Sequence, residues 1–258
     1  MIKRLLLIGD PHCSPDTDNR RFDWLGNMIL ETDPDMVVCI GDFADLNSLS
    51  SYDKGKKTAE LRRYRHDIRA VHDALSKINR PLEDYNSKKK NIRKAQRPLP
   101  RKIMILGNHE QRIERATNMA PELTGTLDIE DLGYQQYGWQ VVPFKQPIEI
   151  EGVYFCHYFP SGVKGEAISG FNIGANVISK NLVSSVCGHS HLFDYAIRNR
   201  PDGSKVVGLC AGWYGEQPTF SDATENLWWS GLNILHNVEQ GSFDIEQISI
   251  ERVKQSYG

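Results

Sequence analysis

The chain has 258 residues, 40% of them hydrophobic and 25% charged, with a formal net charge of −2. That is enough chain for one large domain or two small ones with a substantial core, and no apolar run approaches the roughly 18 residues that a bilayer crossing needs. Cysteines 13, 39, 156, 187 and 210 form no CxxC pair, and four of them sit in or beside apolar runs. This excludes a disulfide scaffold and points to free thiols in a reducing compartment.

The N-terminal segment "KRLLLIG" (3–9) reads as a buried strand rather than a leader, so a cytoplasmic protein is expected. A helix is expected from about Thr17 to Glu31, with Phe22, Leu25 and Ile29 on one face. "DMVVCIG" (35–41) and "RKIMILG" (101–107) are two further buried strands, and the second runs straight into the helical pattern "NHEQRIERATNM". Strands alternating with helices imply parallel pairing through helical crossovers.

Between those two strands the net charge hides an asymmetry. Residues 51–102 carry 17 Lys and Arg against 6 Asp and Glu, while the rest of the chain carries 14 against 27. Leu61, Tyr64, Ile68, Val71, Leu75 and Ile78 recur at helical spacing. With a break or kink expected at Pro81 and a second helix over about 82–96, this block reads as a basic helical hairpin inserted at about 52–98 of a single domain spanning 1–258. After about residue 138 short apolar runs are joined by turns such as Asp202-Gly203 and Gln240-Gly241, the pattern of mainly antiparallel sheet.

The ends of the strands carry one chemistry. They read Gly9-Asp10-Pro11-His12, Gly41-Asp42, Gly107-Asn108-His109-Glu110, then His157 after "VYFC", and Gly188-His189-Ser190-His191. Ligands bind at the carboxyl ends of strands in parallel α/β sheets. Residues two apart in extended chain face the same way, so Asp10 with His12, and His189 with His191, can each share a site. Oxygen and nitrogen donors without thiolate suit manganese first, with iron, zinc or nickel as alternatives. Seven such groups are too many for one metal and suit two that share a carboxylate. Cys13 would point away from them.

In that order, D-x-H, G-D-x-x-D, G-N-H-E, a lone strand-end His and G-H-x-H resemble the calcineurin-like metallophosphoesterases; the motifs span residues 10–191. The resemblance implies an α/β fold: a four-layer β-sandwich of two mixed sheets flanked by helices, here with the inserted basic helical hairpin. It also implies a dinuclear centre in which Asp10, His12 and His191 hold one divalent transition metal, and Asn108, His157 and His189 the other. Asp42 would bridge them. His109 would contact the phosphate oxygens or the leaving group without ligating, and Asp45 would orient it. One position departs from the family pattern: glycine usually follows the lone histidine, and here Tyr158 does. His66, His72 and His236 are expected to be structural or solvent-facing.

Two divalent metals about 3.5–4 Å apart can hold a bridging hydroxide for in-line attack on phosphorus. Asn108 is expected to begin a helix whose amides favour phosphate, and Arg112 to reach the substrate, with Arg115 a lesser candidate. Arg62, Arg63, Arg65, Arg69, Lys88, Lys89, Lys90, Arg93 and Lys94 could line a groove for a polyanion. The expected partner is therefore a phosphate-containing substrate, a nucleic acid or nucleotide, with no membrane; the oligomeric state is left open. The alternatives are a phosphomonoesterase or protein phosphatase, and a non-catalytic scaffold of the same fold. The aromatic segment 211–231 is placed to form a cleft wall or an oligomer contact, and resembles phage-type, nuclease-like members of the family.

Overall fold

The computed structural model describes residues 1–53, 55–90, 92, 95–216 and 227–258. The first half alternates as the sequence predicts: β1 (Ile2–Ile8), α1 (Arg20–Thr32), β2 (Met36–Cys39), α2 (Tyr64–Lys88), β3 (Arg101–Ile105), α3 (Gln111–Met119) and β4 (Trp139–Val142). The second half contains β5 (Ile148–Ile150), β6 (Val153–Phe155), β7 (Pro160–Ser161), β8 (Glu166–Ala167), α4 (Ile173–Asn181), β9 (Ser185–Cys187), β10 (Phe193–Asn199) and β11 (Lys205–Ala211). It ends in β12 (Gly231–Glu239), β13 (Ser242–Ser249) and α5 (Ile250–Tyr257).

Two large mixed sheets result. One has the order β13-β12-β1-β2-β3-β4, with β1 to β4 parallel and β12 antiparallel to β1. The other has the order β10-β11-β9-β6-β5. After residue 138 the pairing is mainly antiparallel, as expected (β5 with β6, β10 with β11, β12 with β13), although β9 lies parallel to both β6 and β11. The connection from β6 to β9 is long and carries α4, which is what a parallel pair requires.

The period of two in the strands decides what lies in each layer. Leu6, Ile8, Val37, Cys39 and Met104 face a core shared with α1, α2 and α5. Their neighbours Leu5, Leu7, Val38, Ile103 and Ile105 face the second sheet, packing with Phe155, Val186 and Leu209. The outer side of the second sheet carries Cys156, Cys187 and Cys210 against Ile173 and Val177 of α4. All five cysteines are free and buried, as expected. Among the described residues, no helix is long and apolar enough to cross a membrane.

The basic block departs from expectation. No hairpin turn occurs at Pro81: α2 is one helix of 25 residues that runs through it. Val71, Ala74, Leu75 and Ile78 are buried against α1, so the helix is a structural layer of the fold. Leu61, expected at the head of the stripe, lies before the helix at φ 63° and is exposed. The second helix expected over 82–96 is the continuation of α2 as far as Lys88, and residues 91, 93 and 94 lie outside the described residues.

Pro81 has no N–H for the carbonyl of Lys77, and α1 approaches at that point. A Cβ on Gly26 would lie 2.7 Å from the Ile78 carbonyl oxygen, 2.8 Å from that of Lys77 and 2.9 Å from Pro81 Cδ. A Gly→Ala change inside a helix ordinarily stabilises by about 1 kcal/mol. Here the two helices would have to separate, at a cost of about 1–3 kcal/mol. Gly26→Ala is therefore expected to lower the urea midpoint, and a raised midpoint would show that the helices do not meet at this glycine.

Candidate metal centre

The candidate side chains leave the carboxyl ends of β1, β2, β3, β6 and β9, and the loops carrying the first two are joined through their backbones. The His12 N–H donates to the Asp42 carbonyl (2.9 Å), Cys13 N–H to Phe43 (2.7 Å), and Asp45 N–H to Cys13 (2.9 Å). Cys13 is buried, pointing away from the cluster with Sγ near Asn19, as expected. His12, Asp42, His189 and His191 all adopt positive φ, at 45°, 47°, 72° and 61°. Such backbone costs about 1–3 kcal/mol per residue and is characteristic of functional sites.

Glycines provide the space. A Cβ on Gly107 would lie 2.1 Å from Asp42 Oδ1, and one on Gly188 2.3 Å from Asp10 Oδ1. One on Gly41, itself at φ 123°, would lie 2.4 Å from His157 Nδ1. The glycine preceding one candidate ligand thus vacates the volume into which another reaches.

Three groups of donor atoms each lie within 4.8 Å of one another: Asp10 with His12 and His191, Asp42 with His157 and His189, and His12 with Asp42 and His109. His12 Nε2 and His191 Nε2 are 3.0 Å apart, and His191 Nε2 is 3.4 Å from Asp10 Oδ2. His157 Nε2 is 3.3 Å from Asp42 Oδ2 and 3.0 Å from Asn108 Oδ1. The extended-chain argument for His189 and His191 does not hold. With both residues in left-handed backbone, the two rings diverge into different groups.

Asn108 does not begin a helix as expected. Residues 108–110 form a turn, α3 starts at Gln111, and the His109 N–H is spent on Asp42 Oδ1 (2.8 Å). His109 Nδ1 lies 2.9 Å from Asp45 Oδ1, and Arg112 Nη2 lies 3.2 Å from His109 Nε2. A guanidinium only donates, so Nε2 holds the lone pair here and Nδ1 carries the proton given to Asp45. Arg112 also donates to the Asp45 carbonyl (2.8 Å), so it is folded over the His109–Asp45 pair.

The electrostatics favour a cation. Asp10 and Asp42 are buried side by side, and Asp10 Oδ1 has no hydrogen-bond partner. Burial pushes the Asp10 carboxyl up to about 6, even with His157 opposing it. At His157 burial favours the neutral ring, but Asp42 and Asp10 outweigh it and bring the imidazole up to about 9. His189 is pulled down to about 4, by burial and then by His157, and burial holds His191 well below its ordinary value. Those two rings are neutral at pH 7, the state in which imidazole donates a lone pair. An orphaned buried carboxylate oxygen, neutral imidazoles and an O/N donor set fit divalent transition metals.

Only one end of the basic block reaches this edge. Arg62 donates to the Asn47 carbonyl and pairs with Asp53 at 2.8 Å, and Ser48 N–H donates to Asp67 of α2. From there α2 carries the chain away for roughly 37 Å, at about 1.5 Å per residue. Arg101 re-enters beside Met36, at the opposite end of β2 from Asp42. Lys88, Lys89 and Lys90 therefore cannot line a groove at the centre, and Arg93 and Lys94 lie outside the described residues. Of the aromatic segment, residues 217–226 also lie outside them. As expected, His72 and His236 are engaged elsewhere, with the Asp131 carbonyl and Glu246.

Glu110 was not singled out in the sequence, although it is the last letter of G-N-H-E. Fully buried, it accepts from Ala44 N–H (2.9 Å), Gly107 N–H (2.8 Å) and the Tyr134 hydroxyl (3.0 Å). It thereby clamps the Asp42 and Asn108 loops together.

Residues 3–236 match the calcineurin-like phosphoesterase family, and the chain belongs to that family. Among solved structures it is similar to the nuclease MPE of Pseudomonas putida, at 15% identity and a TM-score of 0.37, with 90% of this chain and 84% of that one covered. Comparison with curated protein sequences gives no match.

A cation held by these residues would displace the proton from His157 (about 9) and, at lower pH, from Asp10 (about 6). Mn²⁺ affinity is thus expected to rise from pH 6 to pH 9, with proton release visible by calorimetry in buffers of different ionisation enthalpy. A flat affinity without proton release would contradict these assignments.

Proposed function

We propose that this chain is a dinuclear-metal phosphoesterase whose substrate is a nucleic acid or nucleotide. The observation that carries the chemistry is the placement of Asp42 between two donor groups, one around Asp10, His12 and His191, the other around His157, His189 and Asn108. In this reading those residues hold two divalent cations, manganese foremost, with Asp42 shared. The cations would supply Lewis acidity that acidifies water and neutralises charge on the phosphoryl oxygens.

His109 works beside them. Its Nδ1–H bond to Asp45 aims Nε2 at the cluster, 3.9 Å from Asp42 Oδ2. Burial alone would raise the Asp45 carboxyl, but its bonds to His109 and His12 outweigh burial and hold it well below the ordinary range. Asp45 therefore stays ionised and holds the Nδ1–H of His109, keeping Nε2 turned towards the cluster, where it would contact a phosphoryl oxygen or the departing oxygen. Arg112 leans on both partners, so in this reading its guanidinium would lie beside a phosphate that His109 contacts.

Support for a nucleic acid or nucleotide is local to the centre. Arg115 donates to the Asn108 carbonyl (3.1 Å), Lys145 is exposed beside Tyr158, and Arg63 and Arg65 are exposed where α2 begins, the end that bonds Asn47 and Ser48. These groups suit the phosphates flanking a cleaved one.

His109→Ala is expected to lower turnover by about 10²–10⁴-fold while leaving the bound metal in place; loss of metal in that variant would contradict the role. Single-stranded DNA, duplex DNA, RNA, cyclic nucleotides and a phosphomonoester are to be compared in Mn²⁺. Cleavage of a nucleic acid or nucleotide, weakened by salt, is the expected result. Salt-insensitive turnover confined to the monoester would overturn the substrate assignment.

A further inference from the structure

We propose that Trp228 and Tyr158 are stacking surfaces for the two nucleosides on either side of a scissile phosphodiester. This inference rests on the phosphoesterase reading above and goes beyond it by assigning base recognition to particular residues.

The first surface lies beside His191. The Trp228 ring centroid is 4.2 Å from that of His191, edge-on at 89°, and Trp213 backs it at 5.2 Å. Backbone bonds fix it there: the Trp229 N–H donates to the His191 carbonyl, and the Trp213 N–H to the Trp229 carbonyl, both at 3.0 Å. Trp213 is buried, whereas Trp228 is only half-buried, so part of the indole faces water at the rim of a polar site.

The second surface lies beside His189. Tyr158, also half-buried, has its ring centroid 4.9 Å from that of His189, with Phe144 behind it at 5.4 Å. The exposed Lys145 ammonium sits 5.3 Å from the Tyr158 and Phe144 centroids, adding a positive charge at the same wall.

The two walls belong to different halves of the centre. His191 groups with Asp10 and His12, and His189 with Asp42 and His157. A phosphoryl group between the halves would therefore have an aromatic ring on each side. A phosphodiester between nucleosides has a planar base on each side to meet those rings. A phosphomonoester has only one organic side and leaves one ring unused.

Base–aromatic stacking tolerates any base and typically changes binding by about fivefold to a hundredfold per ring. The test compares a short single strand with the same strand built from abasic tetrahydrofuran units, which keep every phosphate and remove every base. In Mn²⁺, wild-type KM is expected to be at least about 25-fold lower on the base-bearing strand, the product of the two rings. That preference should fall by about fivefold to a hundredfold in each of Trp228→Ala and Tyr158→Gly, the loss of one ring, and persist in Trp228→Phe. Circular dichroism and metal content establish that each variant is folded and loaded. Equal wild-type KM on both strands, or alanine and glycine variants that keep the preference, overturns base stacking and leaves the phosphodiesterase reading intact. Failure to cleave either strand, with turnover of a phosphomonoester, overturns both.

Discussion

Two carboxylates, Asp10 and Asp42, are buried within one cluster of imidazoles, and the surrounding structure answers to that placement. A buried carboxylate without compensation is costly. The backbone supplies part of the compensation, through His189 N–H to Asp10 and His109 N–H to Asp42. Asp10 Oδ1 is still left without a hydrogen bond, and His157 is drawn towards its protonated form. The cluster thus lacks positive charge, and a cation is the economical way to provide it.

Holding that arrangement requires a rigid frame. The two sheets present β1, β2, β3, β6 and β9 with their carboxyl ends at one edge, and their interiors are fixed by alternating apolar side chains. Beyond the strand ends, backbone bonds between the Asp10 and Asp42 loops and the Glu110 clamp continue the order of the sheet into the site. Left-handed backbone at four of the cluster residues is affordable only where the neighbours leave no alternative. Local strain, glycine-made space and buried carboxylates are thus parts of one design.

Much of this was legible in the sequence because the signals were periodic or punctuated. Buried runs such as "RLLLIG" and "MVVCIG" gave the parallel strands, and the Gly-Asp, Gly-Asn-His and Gly-His-Ser-His endings gave the residues that converge. What failed was long-range. Pro81 reads as a helix break or kink because it removes a hydrogen bond, yet α2 continues through it where Gly26 lets α1 pack close. The basic residues of that helix looked like one surface. A straight helix instead carries Lys88–Lys90 to the far end of the sheet, a distance that composition cannot reveal. His189 and His191 fall into different donor groups, the division the family resemblance implies, but through positive φ values that the extended-chain spacing argument does not contain. Glu110 belongs to the Gly-Asn-His-Glu ending and Trp228 to the aromatic segment, but their partners Ala44, Tyr134 and His191 are distant in sequence, so the local patterns did not specify those contacts.

The central claim is that Asp42 is shared by two cations. Electron paramagnetic resonance of the protein loaded with two equivalents of Mn²⁺ tests it directly. The account predicts the spectrum of an exchange-coupled pair, lost in Asp42→Ala. A spectrum of isolated Mn²⁺ ions in the wild-type protein would contradict it.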